Sequence, residues 1–189
     1  MISKLLTPIL LLGALTHAHA QQHTGRPTKP PDTGPVTVAR SATLQVFVAS
    51  DAVSIFGYLS DQGKLTAWFA DQAILEPRFG GKYHLRWKNE EPVDGVVTEF
   101  SAANTLAYTW KHPSDDAETQ VRFKLSPQGE HTLVQLEHQG FPTAAGLDKA
   151  VTFWVFYLKN LKSVIEDHED LRQAAAKPPV RTLVHSRPK

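Results

Sequence analysis

The chain has 189 residues, and its 20 Lys and Arg against 19 Asp and Glu give a formal net charge of +1 at pH 7. This balance supplies no basic field for a polyanion, so nucleic acid is not predicted as a partner. The chain holds no cysteine, which excludes a cysteine nucleophile, a redox dithiol, an iron–sulfur cluster and any cysteine-based zinc site. Hydrophobic residues make up 41% of the chain, which is enough for one buried core.

The first twenty residues have the pattern of a secretory signal peptide. Lys4 lies in a short n-region, an apolar stretch covers residues 5–15, and the segment ends in Ala18-His19-Ala20. Signal peptidase accepts small residues such as the first and last of that triplet. The apolar stretch is about half of the ~20 residues that a membrane span needs. We predict a signal peptide over residues 1–20, cleaved after Ala20, and an exported periplasmic protein with no membrane span in its mature chain. A buried structural helix is the alternative.

Two polar segments are predicted to flank a single domain. Residues 21–38 are rich in proline and poor in apolar side chains, which predicts a disordered linker. Residues 173–189 contain three prolines and several basic side chains, which predicts a disordered basic tail. The predicted domain therefore covers residues 39–172.

A strand and two short helices are predicted at the start of this domain. Residues 43–48 have the composition of a strand. Ser50 is predicted to cap the next helix, with Asp51 in its first turn. Apolar residues recur along this helix at three-residue spacing, at Val53, Phe56 and Leu59. A second short helix is predicted over residues 62–69.

Four segments in the middle of the chain alternate between apolar and polar residues. In residues 82–88 the apolar side chains share one face: Tyr83, Leu85 and Trp87. The same period of two recurs in residues 106–111, 121–125 and 132–138. Residues 126–129 are predicted to form the hairpin turn between the last two segments. This pattern is typical of an antiparallel sheet with one buried and one exposed face.

The longest helical pattern comes last. Its apolar positions alternate between spacings of four and three, at Leu147, Val151, Trp154, Leu158, Leu161, Ile165 and His168. Such a stripe predicts a long amphipathic helix that lies across the buried face of the sheet.

This order of elements resembles the α+β helix-grip fold of START-like and Bet v-like proteins, in which a curved antiparallel sheet wraps around a long C-terminal helix. Within that fold the sequence resembles an exported bacterial member of the SRPBCC proteins, in the branch related to the activator of heat-shock protein 90 ATPase. The resemblance covers about residues 41–167. It is carried by six motifs in order, which are Leu65–Phe69, Glu76–Gly81, Gly95–Glu99, Leu106–Trp110, Leu136–Pro142 and the W-x-x-x-L-x-x-L pattern from Trp154.

The resemblance implies a cavity between the sheet and the final helix that holds a small hydrophobic or aromatic molecule, without a cofactor. Indole and phenol side chains suit such a site because they join apolar surface to one hydrogen-bonding group. Ordinary core packing is the alternative for each of them. The residues predicted to bind the ligand are Phe56, Trp68, Tyr83, Trp87, Tyr108, Trp110, Phe123, Leu136, His138, Trp154 and Leu158.

Two residues are candidates for acid–base chemistry. Alternation from Val134 and Leu136 places His138 on the buried face, where it is either a general base or a structural histidine bonded near Gly140. Glu99 alternates with its neighbours so that it shares a face of the strand with Gly95 and Val97. The sequence leaves open whether this side chain points inward as a partner of His138 or outward to solvent.

No metal site is predicted, because the seven histidines outside residues 1–20 show no ligand spacing. Arg78 with Gly80-Gly81 precedes a strand rather than a helix. A phosphate loop requires the helix, so the glycines are expected to shape a turn or bulge and Arg78 to pair with a carboxylate.

Three functions follow from these observations. The first is binding of a small hydrophobic or aromatic ligand, which requires a roomy cavity with few ionisable groups. The second is an enzyme of the same fold, of the cyclase or dehydratase kind, that performs acid–base chemistry through His138 and a carboxylate. The third is a protein-interaction or chaperone-regulating module, which requires a filled interior and an exposed apolar patch.

Overall fold

The computed structural model describes residues 39–88, 90–112, 115 and 117–174. The predicted signal peptide, the linker up to residue 38 and the tail from residue 175 lie outside the described residues and stay predictions. The elements in chain order are β1 (Arg40–Val48), α1 (Ala52–Ser60), α2 (Gln62–Trp68), β2 (Gln72–Leu75), β3 (Lys82–Arg86), β4 (Val93–Ser101), β5 (Thr105–Trp110), β6 (Thr119–Gln128), β7 (His131–Phe141), α3 (Ala144–Glu166) and α4 (Leu171–Ala174). Gln173 and Ala174, assigned to the tail from sequence, thus belong to α4.

The strands form one antiparallel sheet in the order β1-β7-β6-β5-β4-β3-β2. The predicted alternation is confirmed, since Tyr83, Leu85 and Trp87 are all buried while their neighbours Lys82 and Arg86 are exposed. The buried face of the sheet packs against α1, α2 and α3. This is the predicted helix-grip arrangement, with two short helices after the first strand and a long helix at the end. The edge strand β2 was not predicted, because four residues are too few to show a period.

The first helix begins one residue later than predicted. Its N-cap is Asp51 rather than Ser50, and the Asp51 carboxylate accepts from the Ser54 backbone N–H at 2.9 Å. Val53 consequently faces solvent, with 72% of its surface exposed, and Ile55 takes the buried position beside Phe56. The expectation that Val53 belongs to the buried stripe was wrong.

The β6–β7 turn is tighter than the predicted segment 126–129. Strand β6 continues to Gln128, which pairs with His131, so that the loop contains two residues. Gly129 in this loop has a φ of +64°, in the left-handed region that glycine enters without strain. The pairing of β5 with β6 ends at Lys124. Pro127 lies beyond that point, so its missing backbone N–H costs no hydrogen bond to β5.

Helix α3 crosses the sheet as predicted and also covers the free edge of β1. Lys162 donates to the Phe47 carbonyl at 2.7 Å, and Glu166 accepts from the Ala49 N–H at 2.7 Å. These bonds satisfy backbone groups at an edge that would otherwise be open to pairing. The helix ends at Glu166, so the predicted extension of its stripe to His168 was wrong, and His168 is exposed with a φ of +57°. No helix in the described part of the chain has the length and apolar character needed to cross a membrane.

Candidate functional site

The interior between sheet and helices is filled mainly by aromatic rings. Phe69 stacks between two indoles, with ring centroids 4.8 Å from Trp68 and 5.3 Å from Trp154. Trp87 and Trp110 approach the same phenylalanine at 5.2 and 6.3 Å. Rings in such contact occupy the space that a ligand would take between the sheet and α3.

A small cavity of about 10 Å³ remains in this interior. Its walls come from α1, α2 and four strands, and none of them comes from α3. The lining residues are Leu59, Leu65, Trp68, Phe69, Leu75, Tyr83, Leu85, Tyr108 and Phe123. The cavity therefore lies beneath α1 and α2, whereas the sequence placed it beneath the final helix. Its volume is close to the smallest that holds one water molecule, about 10–15 Å³.

All eleven residues predicted to bind a ligand are buried. The cavity brings together four of them, which are Trp68, Tyr83, Tyr108 and Phe123. The other seven pack elsewhere in the core, and these are Phe56, Trp87, Trp110, Leu136, His138, Trp154 and Leu158. Five lining residues were not singled out from sequence, although Leu59 and Phe69 belong to patterns that the sequence showed.

The C-terminal end of α2, which roofs the cavity, is held by distant side chains. The Arg172 side chain donates to the Thr66 carbonyl at 2.7 Å, the Asn160 side chain to the Trp68 carbonyl at 2.6 Å, and the Trp87 indole to the Phe69 carbonyl at 2.6 Å. These bonds satisfy carbonyls that a helix end leaves without intrahelical partners. Asn160 was missed from sequence, and its signal was a polar residue between the apolar positions 158 and 161.

The N-terminal end of α2 has fewer ties. Asp61 ends α1 through its N–H, which donates to the Gly57 carbonyl, and caps α2 by accepting from the Lys64 N–H at 2.9 Å. Besides the packing of the buried Leu65, this end contacts the sheet through a long hydrogen bond of 3.5 Å from Gln62 to the Leu75 carbonyl. The helix is thus fixed at one end and weakly attached at the other.

Two tyrosines give the cavity its polar groups. The Tyr83 hydroxyl donates to the Thr109 carbonyl at 2.5 Å. The neighbouring ring of Tyr108 lies 5.1 Å from that of Tyr83, but the Tyr108 hydroxyl makes no hydrogen bond with any described residue. Burial raises the pKa of both phenols, that of Tyr108 well above its usual value. Both groups are therefore neutral near pH 7.

His138 lies in a complete chain of hydrogen bonds away from the cavity. The Trp154 indole donates to Nδ1 at 2.9 Å, Nε2 lies 2.7 Å from the Thr119 hydroxyl, and that hydroxyl donates to the Trp110 carbonyl at 2.9 Å. Because an indole can only donate, the network assigns the imidazole proton to Nε2. Burial lowers the pKa of His138 to about 4. The imidazole is neutral, and neither nitrogen has a free lone pair for a general base.

Glu99 faces outward because strand β4 contains a bulge. Val97 pairs with Tyr108 while Glu99 pairs with Ala107, so two residues of β4 stand opposite one residue of β5. The extra residue moves Glu99 from the inner face to the outer one, where it lies 3.0 Å from Arg122. The structure therefore does not bring Glu99 and His138 together.

Arg78 and the glycine pair have the expected structural role. Arg78 pairs with the Glu76 carboxylate at 2.5 Å on the surface. Gly80 and Gly81 exchange backbone hydrogen bonds with Val97, which docks their loop along β4. The segment is a turn fastened to the sheet, as the sequence predicted.

A seven-stranded antiparallel sheet that holds a long C-terminal helix, with two short helices after its first strand, defines the helix-grip class. Solved structures agree at the level of the fold. Protein MLL2253 from Mesorhizobium loti is 18% identical, with a TM-score of 0.62 over 69% of this chain and 99% of its own. CalU16 from Micromonospora echinospora is 20% identical, with a TM-score of 0.61 over 72% of this chain and 81% of its own. The Aha1 dimer from Colwellia psychrerythraea is 18% identical, with a TM-score of 0.61 over 67% of this chain and 96% of its own.

The family follows from the sequence itself. The model of the family described as Activator of Hsp90 ATPase homolog 1-like protein matches residues 50–166. The chain belongs to this family, as its motifs indicated. Comparison with curated proteins gives no significant match.

Proposed function

We propose that the protein binds a small hydrophobic or aromatic molecule in the cavity beneath α1 and α2, after export to the periplasm. The observation that supports binding is the composition of this cavity, whose nine lining side chains are leucines and aromatics with no charged group among them. Apolar walls with few polar groups are typical of sites for such ligands. The fold supports the proposal by analogy only.

Binding requires the cavity to expand, because about 10 Å³ does not hold an organic molecule. The weakly attached N-terminal end of α2 provides the means. Moving residues 62–65 outward breaks the long hydrogen bond from Gln62 to Leu75 and displaces Leu65 from the cavity wall. Asp61 keeps its bond to the Gly57 carbonyl and is the pivot of the motion. The bonds of Asn160 and Trp87 keep the other end in place during this motion.

Binding is favoured over catalysis by the arrangement of the two candidate residues. Both nitrogens of His138 are engaged, and Glu99 lies on the opposite face of the sheet with Arg122. A general base must reach its substrate directly or through one water molecule, and neither residue lines the cavity.

The test is mass spectrometry of small molecules released on denaturing protein that has been purified gently from its own cells. We expect a hydrophobic compound from the wild type and none from Leu85→Phe, whose larger ring fills the cavity. Leu136→Phe is the matched control, since Leu136 is equally buried but does not line the cavity, and it should retain the compound. Equal retention by both variants contradicts the proposed site. The intact mass of the same protein shows whether residues 1–20 have been removed.

A second candidate function, docking of a protein partner, is favoured by the nearly filled interior and by the outer surface near β2. Phe79 is 75% exposed on the loop that Gly80 and Gly81 fasten to β4. Ile74 on β2 and Val96 on β4, the strands on either side of β3, are 57% and 40% exposed. Exposed apolar side chains held on rigid backbone are typical of protein contacts. Recovery of no compound from the wild type would favour this second function over ligand binding.

A further inference from the structure

We infer that the Tyr108 hydroxyl is the polar anchor of the cavity and that the ligand is a neutral molecule with one hydrogen-bond acceptor on an apolar body. This inference rests on the proposed binding function. Tyr108 lines the cavity, is only 6% exposed and has no hydrogen-bond partner among the described residues. A tyrosine hydroxyl both donates and accepts hydrogen bonds. Without a partner in the described part of the chain, the hydroxyl of this cavity-lining residue is free to donate to a molecule that enters the cavity.

The other polar groups of the lining are already occupied. The Trp68 indole donates to the Tyr58 carbonyl at 2.8 Å, and the Tyr83 hydroxyl donates to the Thr109 carbonyl. The six remaining lining side chains are leucines and phenylalanines. Among the described residues, the cavity therefore offers a ligand one free side-chain donor, the hydroxyl of Tyr108.

The chemistry of this donor defines the class of ligand. Burial raises the pKa of Tyr108, so the phenol keeps its proton and can donate it to an acceptor oxygen. A carboxylate or phosphate is excluded because the lining holds no cation to offset the loss of its hydration. A ketone, aldehyde or ester on a hydrocarbon or aromatic body satisfies both conditions. The rings of Tyr83 and Phe123, centred 5.1 and 6.4 Å from that of Tyr108, suit a planar body.

The experiment compares two probes of the same shape, acetophenone and α-methylstyrene. Acetophenone has a carbonyl oxygen at the position where α-methylstyrene has a methylene group. Both are titrated into ¹⁵N-labelled wild type and Tyr108→Phe, and binding is followed through the Trp68 indole signal. The expected result is that Tyr108→Phe weakens acetophenone binding about 3- to 10-fold and leaves α-methylstyrene binding unchanged. Tyr157→Phe is the matched control. It removes the hydroxyl of a tyrosine that does not line the cavity, so the preference between the probes should stay at its wild-type value.

The outcomes separate this inference from the function on which it rests. If both probes bind and Tyr108→Phe weakens them equally, the cavity binds ligands but Tyr108 is not the anchor, and the inference is overturned alone. If Tyr157→Phe lowers the preference for acetophenone as much as Tyr108→Phe does, the preference does not arise at the cavity, and the inference is overturned. If neither probe shifts the Trp68 signal of the wild type, the proposed function fails and the inference fails with it.

Discussion

Two polar regions of the buried interior, around His138 and around Tyr108, differ in how their hydrogen bonds are completed. Around His138 every group has a partner, from the Trp154 indole through Thr119 to the Trp110 carbonyl. Around Tyr108 the hydroxyl has none among the described residues. Both side chains are nearly inaccessible, so the two regions differ in their hydrogen bonds rather than in their burial.

The two regions also differ in what surrounds them. His138 lies between the ring of Phe141, 4.4 Å away, and the aromatic core formed by Trp110 and Trp154. Tyr108 lies beside the cavity, under a helix whose N-terminal end has one long bond to the sheet. The first region is rigid and fully packed. The second combines a hydroxyl without a described partner, a small free volume and a helix end with few hydrogen bonds, and these are the features on which the proposed binding function rests.

Trp154→Ala should give the largest loss of stability. Trp154 is 1% exposed, it packs on Phe69, and its indole completes the His138 chain. Removing the ring leaves a large cavity, and we expect a loss of about 3–5 kcal/mol in the free energy of unfolding, measured with urea. Trp154→Phe keeps most of the apolar contact but leaves Nδ1 of His138 unpaired, so its loss should be intermediate. A loss below about 1 kcal/mol for the alanine variant would show that α3 does not dock on the sheet through this residue.

Stability should fall in acid because of His138. Burial lowers the pKa of this imidazole from 6.5 to about 4, so between these values the unfolded chain binds a proton that the folded chain does not. The free energy of unfolding should therefore decrease as the pH falls from about 7 to 4, by about 3 kcal/mol from this residue. Below pH 4 both states are protonated and the effect ends. Urea unfolding at several pH values measures the slope.

The matched variant for this prediction is His138→Gln, which has no titrating side chain. It should be less stable than the wild type at pH 7, since it disturbs the bonds to Trp154 and Thr119. Its stability should depend less on pH across the same interval, and the difference in slope belongs to His138. Identical slopes would mean that the buried imidazole accepts a proton without disrupting its chain, and the region would not be as rigid as we describe.

The sequence predicts the fold well because the period of two and the long apolar stripe are physical requirements of a one-sided sheet and a covering helix. It identifies Tyr108 and His138 as buried for the same reason. It does not identify the orientation of Glu99, because one extra residue in β4 reverses the faces beyond it. The location of the cavity also escapes prediction. It depends on how far the side chains of Phe69 and Trp154 fill the space beneath α3, which is a property of three-dimensional packing.

Tyr108→Phe should give the smallest effect on stability, and it tests the comparison of the two regions most directly. The Tyr108 hydroxyl makes no hydrogen bond with any described residue, so its removal takes away no such bond and should leave the free energy of unfolding unchanged or raise it by up to about 1 kcal/mol. Tyr83→Phe removes a hydroxyl that donates to the Thr109 carbonyl, and it should lower the free energy of unfolding by about 1 kcal/mol. Each variant lacks one hydroxyl, and the two rings are neighbours. Urea unfolding of both variants therefore compares the loss of a paired hydroxyl with the loss of an unpaired one. Equal losses would show that the Tyr108 hydroxyl is satisfied in the ligand-free protein, and a ligand would then have to displace that partner before it could bind.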